Sequence, residues 1–322
     1  MGSPTPLNLI ANLRPDISGM FEQYDIEMNA ARMIALELFP VFEAGLQAGP
    51  FGKITLASLM KAVETKRNSG AAYNETDFEF DTDTYATKEN GIAIPVDQRN
   101  AKIYANYFDA ELFAARLARN KVMLNMEQRV AALLQDTVTF TPTAVVNEWD
   151  DYANCTPIDD VEAAVQRLYA KGIVANALQV NWKQYRNLRN SAQIIDRITA
   201  SGAGSSAKAS DVTKQMLAAV FDLPHILVGG SQKNSTIEGQ TASLASVWSD
   251  EYASVCRISS GRIEDPGIGL TFHWGEDGSS IGGTMESYYD VDIRGDKLRC
   301  RMETHEKIMY SAALELLSNI TT

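Results

Sequence analysis

Asn106–Asp136, NYFDAELFAARLARNKVMLNMEQRVAALLQD, is long and regular enough for the rest of the chain to be arranged around it. Phe108, Leu112, Ala115, Val122, Met126, Val130 and Leu133 follow at steps of three, four and seven, which puts them on one stripe of a helix of period 3.6. Phe113, Leu117, Leu124 and Ala131 make a second, partial stripe. No Gly or Pro interrupts the pattern. Asn106 or Asp109 suits the N-cap, Asp109 and Glu111 suit the positive end of the helix dipole, and the β-branched run Thr137–Thr139 before Pro142 favours extended chain. At about 1.5 Å per residue the helix would span on the order of 45 Å, the width of a compact domain, so it reads as a spine.

The chain has 322 residues, 45% of them hydrophobic, enough to bury a large core as one elaborated domain or two intertwined ones. Its formal charge of -12 argues against a role that depends on holding nucleic-acid phosphates, which takes clustered Lys and Arg. Cys155, Cys256 and Cys300 are odd in number and far apart; they fit free thiols in a reducing compartment rather than a disulfide framework or zinc ligands. MGSPTPLNLI carries no basic run, and no stretch approaches the roughly 18 apolar residues of a membrane span. The expectation is a soluble protein with no membrane partner, assembled or working inside a cell.

Residues 1–28 hold only scattered hydrophobes and read as an arm. Asn29–Leu38 has helix formers, and Pro40 forces the following backbone to extend. Asp77, Glu79, Asp81 and Asp83 then alternate with Phe78, Phe80, Thr82 and Thr84, so one strand face is acidic and the other apolar or β-branched. With Ser69-Gly70 before it and Asn90-Gly91 after it, this segment reads as a long two-stranded excursion. Such a ribbon is barely stable alone in water, so a neighbouring subunit is expected to supply its partner.

After the spine, Thr156-Pro157 opens a helix that Gly172 stops, NALQVNW (176–182) reads as a buried strand, and Lys183–Ser201 as one helix. Thr213–Phe221 follows as a helix and His225–Gly230 as a strand, an α/β or α+β layer of its own. The last part turns to strands: Leu270, Phe272 and Trp274, then Tyr289, Val291 and Ile293, then Leu298, Cys300 and Met302 alternate with polar residues. Gly295-Asp296 is either a hairpin turn or a bulge in one long strand.

No candidate chemistry survives its own test. Gly202–Ser210, GAGSSAKAS, imitates a phosphate-binding loop, but Ala207 stands where the glycine before Lys208 is needed and Ala209 where Ser or Thr should follow. The Asp77–Asp83 acids lie along an extended strand without the turn glycine of a calcium loop, so a solvated or inter-subunit face is the better reading than a metal site. His225, His273 and His305 occur singly, and His305-Glu306 lacks the second histidine of a zinc hydrolase. No GxSxG elbow supports a serine triad, and Cys256 and Cys300 sit in strand-like apolar surroundings that suit structural thiols. Arg116, Arg119 and Arg129 suit surface or inter-subunit ion pairs. The expectation is therefore no enzyme, with no catalytic, cofactor-binding or metal residues and no cofactor.

The order arm, excursion, spine, helix–strand middle and closing strands resembles the major capsid protein of tailed bacteriophages, of the Hong Kong 97-like fold. Thr84–Gly91 and Ile94-Pro95-Val96-Asp97 look like that family's second excursion strand and its proline-containing approach to the spine. VNWKQYRNLRNSAQIIDRI (180–198) and LVGGSQKNSTIEGQTASLASVW (227–248), with Gly229, Gly230, Asn234, Gly239, Gln240 and Trp248, are similar to further segments, and GIGLTFHW and ESYYDVDIRGDKLRCR to its closing strands. The resemblance covers roughly residues 35–322 and rests on the order of several moderate motifs. It departs in showing no coiled, scaffold-like N-terminal segment.

The resemblance implies an α+β fold with an N-terminal arm and connector at 1–45 and an extended β-hairpin loop at 46–100. A peripheral domain with the spine helix would occupy 101–148 and 284–308, and an axial domain 149–283 and 309–322. It further implies self-assembly into pentamers and hexamers of an icosahedral virion shell built in the host cytoplasm. Scaffolding, portal and decoration or cement proteins would be partners, and double-stranded DNA would be enclosed without sequence-specific binding. An acidic wall would let that DNA slide. Lys61, Lys66 and Lys88, near the excursion, are candidates for a covalent crosslink between subunits. The alternatives are an encapsulin-like nanocompartment shell and, from another class, a cation-dependent hydrolase on the Asp77–Asp83 face.

Overall fold

The computed structural model describes residues 33–321 apart from 56, 57, 59, 78, 79, 105–108, 201–211, 237, 238 and 242. In chain order the elements are α1 (Ala35–Leu38), β1 (Val41–Glu43), β2 (Ala48–Ile54), β3 (Phe80–Ala86), β4 (Lys88–Asp97), α2 (Gln98–Tyr104), α3 (Ala110–Leu134) and β5 (Thr143–Ala144). There follow α4 (Pro157–Ala170), β6 (Ala177–Asn181), α5 (Trp182–Asn190), α6 (Ala192–Ala200), α7 (Lys214–Phe221), β7 (His225–Gly229), β8 (Gln232–Asn234) and β9 (Leu244–Ser246). The chain closes with β10 (Ala253–Cys256), β11 (Gly269–His273), β12 (Thr284–Asp290), β13 (Gly295–Ile308) and β14 (Leu314–Ser318).

The 14-residue strand β13 organises the first sheet. β4 runs antiparallel along one side of it, β12 and then β11 along the other, and β1 joins β11 in parallel. Leu298, Cys300 and Met302 point from β13 into the core, where the spine α3 buries Ala114, Ala115, Ala118, Val122, Met126 and Val130. The alanines let the helix backbone approach the sheet closely, and the larger residues fill the rest. A second five-stranded sheet, in the order β5-β14-β10-β6-β7, is covered by α4–α7. Its separate core holds Trp149, Leu168, Leu178, Leu188, Ile194 and Val255.

Several local expectations are corrected. The spine starts at Ala110 rather than Asn106, and of the two expected caps it is Asp109 that serves, its carboxylate accepting from the amides of Glu111 (3.0 Å) and Leu112 (3.2 Å). Asn106 and Phe108 lie outside the described residues. The spine ends at Leu134 because Asp136 accepts from the amides of Val138 and Thr139 and from the Thr139 hydroxyl; that local competition turns Thr137–Thr139 instead of extending it. Its 25 residues span on the order of 37 Å at about 1.5 Å each. The helix expected over Lys183–Ser201 is two, broken at buried Ser191, whose backbone is extended (ψ 128°).

Asn90-Gly91 is no turn but mid-strand in β4, paired with Met302 and Arg301. Only glycine fits at residue 91, since a Cβ there would lie 2.9 Å from the Cys300 carbonyl oxygen. Pro95, lacking an N–H, is tolerated because β4 has a strand on one side only. The β12–β13 turn falls at 291–294, with Arg294 at φ 47°, so Gly295 already belongs to the strand. Lys88–Asp97, expected in the extended loop, and Gly269–His273, expected with the axial part, are thus both strands of the spine's sheet.

The buried side of the spine also carries Glu127, fully closed to water. Its carboxylate accepts from the amides of Ile34 (3.1 Å) and Ala35 (2.8 Å), the Trp248 indole N–H (2.6 Å) and the Ser231 hydroxyl (3.4 Å). Burial outweighs these donors and raises its pKa. Its contribution to stability is therefore fully present below the ordinary carboxylate range and is lost as pH rises through the raised value. Glu127→Ala strands these buried donors and is expected to cost about 3 kcal/mol in urea unfolding, with Glu127→Gln, which keeps an acceptor, costing less; equal small losses for both would show that the donors find water instead.

Candidate assembly surfaces

β2 and β3 form a two-stranded antiparallel ribbon from Ala48↔Ala86 to Ile54↔Phe80. Aromatic contact seats its base on the spine's sheet: Tyr85 stacks on Phe272 with ring centroids 4.6 Å apart, and Phe51 leans on Phe272 at 5.2 Å. Lys307 of β13 pairs with Asp83 and donates to the Thr84 carbonyl, and the Ala86 amide donates to His305 Nδ1 at 3.2 Å. Beyond this base the support is sparse and mostly local: Met60 lies against Gly172, Asn74 donates to the Glu64 carbonyl (2.6 Å), and Arg67 donates to the Ala71 carbonyl (2.7 Å) and lies over the Tyr73 ring. Every residue from Met60 to Asp77 is exposed and none is in a helix or strand. A turn closed by the Ala71 amide on the Asn68 carbonyl, with Gly70 at φ 85°, forms the tip. Met60 and Tyr73 are 56% and 73% exposed there.

Ion pairs fix the base below. Arg301, buried in β13, bridges Glu286 of β12 and Asp277, and Arg299 also donates to Glu286. Arg129 of the spine donates through two nitrogens to Glu306, each at 2.8 Å. Glu303 accepts from Gln47 (2.8 Å) and Thr87 (3.0 Å), tying the foot of the ribbon to the sheet. Burial raises the pKa of Glu286 and Glu306, but their arginine partners prevail and hold both below the ordinary 4.5. A second end of the sheet is also open. Tyr288, Tyr289 and Val291 are 43%, 53% and 76% exposed at the β12–β13 turn, and residues 292–294 line a groove with Asp97 of β4 and Arg99, Lys102 and Ile103 of α2.

The residues singled out in the sequence do not converge. Of the acidic face, Asp83 is tied to Lys307 and Asp81 lies 3.6 Å from Lys53, so these two are paired inside the chain rather than left for a neighbour; Glu79 lies outside the described residues. His225 is exposed, His273 is buried against Glu43 (2.7 Å) and His305 is in the ribbon's seat. No group of three or more His, Cys, Asp or Glu that could hold a metal occurs among the described residues. Cys155, Cys256 and Cys300 are buried free thiols, and burial pushes the latter two up to about 12, far from a nucleophile's range. Arg119 and Arg129, expected on the surface or between subunits, are instead turned inward, Arg119 onto the Gly282 carbonyl (2.6 Å) and Arg129 onto Glu306. Lys61, Lys66 and Lys88 are exposed. Gly202–Ser210 lies outside the described residues. Glu127 was missed, although its spacing of four from Met123 and three from Val130 places it on the buried stripe. No helix among the described residues is long and apolar enough to cross a membrane.

The fold built this way is shared with phage capsid structures. A phage-related protein from Bordetella bronchiseptica superposes with a TM-score of 0.70 at 19% identity, covering 96% of this chain and 97% of that one. The capsid of the cyanophage P-SCSP1u superposes with a TM-score of 0.57 at 12% identity, covering 87% and 86%. The chain thus has the α+β, Hong Kong 97-like architecture of phage capsid proteins. In sequence it is similar to a major capsid protein of Pseudomonas phage JBD67, 23% identical over 287 residues, 87% of this chain and 89% of the relative. No family model matches.

The depressed carboxylates set an acid limit. Their stabilisation is present above about pH 5 and is lost as pH falls through their folded values. Thermal melts from pH 7 to pH 3 should show the melting temperature falling in acid, with a shallower fall for Glu306→Gln; identical slopes would remove the Arg129–Glu306 pair from the account.

Proposed function

We propose that the protein is the major capsid protein of a tailed phage, a structural subunit rather than an enzyme, which self-assembles into the pentamers and hexamers of an icosahedral shell around double-stranded DNA. The observation that carries this reading is the excursion, in which a firmly seated ribbon projects an exposed segment, Met60–Asp77, with no core of its own. Folded chains do not hold such surface without cause, and burial on a neighbouring copy would stabilise it. The capsid fold and the Pseudomonas phage relative support the same conclusion.

In this reading the spine and the β13 sheet form the peripheral domain, the β14-β10-β6 sheet with α4–α7 forms the axial domain, and the tyrosines at the β12–β13 turn provide a second contact between copies. Scaffolding, portal and cement proteins are the further partners of such a shell, assembled in the host cytoplasm. Deleting Lys61–Asp77 should leave a subunit with an unchanged thermal melt that no longer sediments as large particles beside the intact chain. Full-size particles from the deletion would contradict the role of the excursion.

A further inference from the structure

The chain's 41 acids and 29 bases are unevenly spread. No Asp or Glu occurs from residue 163 to residue 195, whereas Arg167, Lys171, Lys183, Arg186 and Arg189 all do. Arg167 and Lys171 are engaged by Glu315. The other three lie on α5, interleaved with Trp182 and Tyr185. A capping box between Asn181 and Gln184 fixes the start of this helix, and Gln184, Asn187 and Leu188 are buried beneath it. The opposite side therefore presents Trp182, Lys183 and Arg186 to solvent, with Tyr185 and Arg189 half-buried beside them. The Arg186 guanidinium lies over the Trp182 ring at 5.5 Å and that of Arg189 over Tyr185 at 5.8 Å. Lys183 lies 3.4 Å from Asp250, an exposed pair that restrains the amine weakly.

We infer that this face of α5 is a contact for the phosphodiester backbone of duplex DNA. Planar guanidiniums match phosphate oxygens in pairs, and resting them on aromatic rings orders them before the ligand arrives. Because a guanidinium already lies over one face of each ring, the aromatics act first as supports for the arginines rather than as platforms for unstacked bases, which favours a duplex over a single strand. The surrounding surplus of acid keeps each contact weak. Many copies in a shell would then steady the DNA without pinning it. The assignment rests on the capsid reading for the source of the DNA, not for the chemistry.

Contact with about three phosphates gives a slope of about -2.7 in log affinity against log salt, or roughly 40-fold weaker binding at about 200 mM than at about 50 mM. The test is a fluorescence-anisotropy titration of a labelled duplex of about 30 base pairs across that range, with electron microscopy of the same preparations. Lys183→Gln with Arg186→Gln should lower the slope by about 1.8 with an unchanged thermal melt, and Lys121→Gln, on the spine, should leave it alone. Unchanged binding by a folded double variant, or tighter binding of single strands than of duplex, overturns the inference. Intact shells with salt-insensitive binding count against it alone, and DNA binding without shells counts against the capsid reading alone.

Discussion

The Glu127 carboxylate sits where no water reaches it and is held by donors from two regions far from it in sequence. A buried charge without partners is among the costliest defects a fold can carry. The segment at Ile34–Ala35, the middle of the spine and the Ser231–Trp248 region must therefore be in place together or not at all. This couples the connector that leads toward the excursion, the helix that spans the first sheet and the chain leaving β7 of the second. The apolar core supplies the bulk of stability, but it would tolerate small slips of the helix along the sheet; a carboxylate with directed donors would not.

The same division holds at the excursion. Its base is over-determined by stacked rings, the Lys307 contacts and the Glu303 bonds, whereas hydrogen bonds at its tip, such as Asn74 to Glu64 and Arg67 to Ala71, stay within the tip itself. A rigid foot under an exposed reach would let a subunit of the proposed shell present the same segment to a neighbour in the same direction in every copy. In the proposed shell, ordering the tip would cost conformational entropy that burial on a neighbour offsets. The ion pairs around Arg301 and Arg129 act inside the subunit, holding β12, β13 and the spine in one body.

Much of this was legible in the chain. The spine, the strand at 177–181, the helix after Thr156 and the strands around Leu270–Phe272 and Leu298–Met302 follow from periodicity and breakers, and the capsid fold follows from their order; the alternation expected at Tyr289, Val291 and Ile293 instead runs out of β12 at Asp290 into the turn. The errors were local and have physical causes. Asn90-Gly91 has the chemistry of a turn but serves close strand approach, which depends on a partner some 200 residues away. Thr137–Thr139 has β propensity, yet the Asp136 carboxylate, two and three residues back, captures the amides of Val138 and Thr139. The helix at 183–201 shows no Gly or Pro to mark its break, because buried Ser191 does that work through tertiary contact with Cys155. Glu127 sits on the apolar stripe and is hidden there because a stripe is scanned for hydrophobes, and Arg119, expected at the surface or between subunits, is turned inward onto Gly282 by its place on the same stripe. The α5 patch was hidden by the net charge, an average over the chain that says nothing of where the cations stand.

The central claim is that this chain closes into a shell by laying its excursion on an adjacent copy. Cryo-electron microscopy of the expressed protein tests it directly. The account predicts isometric closed particles in which residues 61–77 can be traced across the surface of a neighbouring subunit. Discrete monomers under all assembly conditions, or particles in which that segment stays folded against its own subunit, would contradict it.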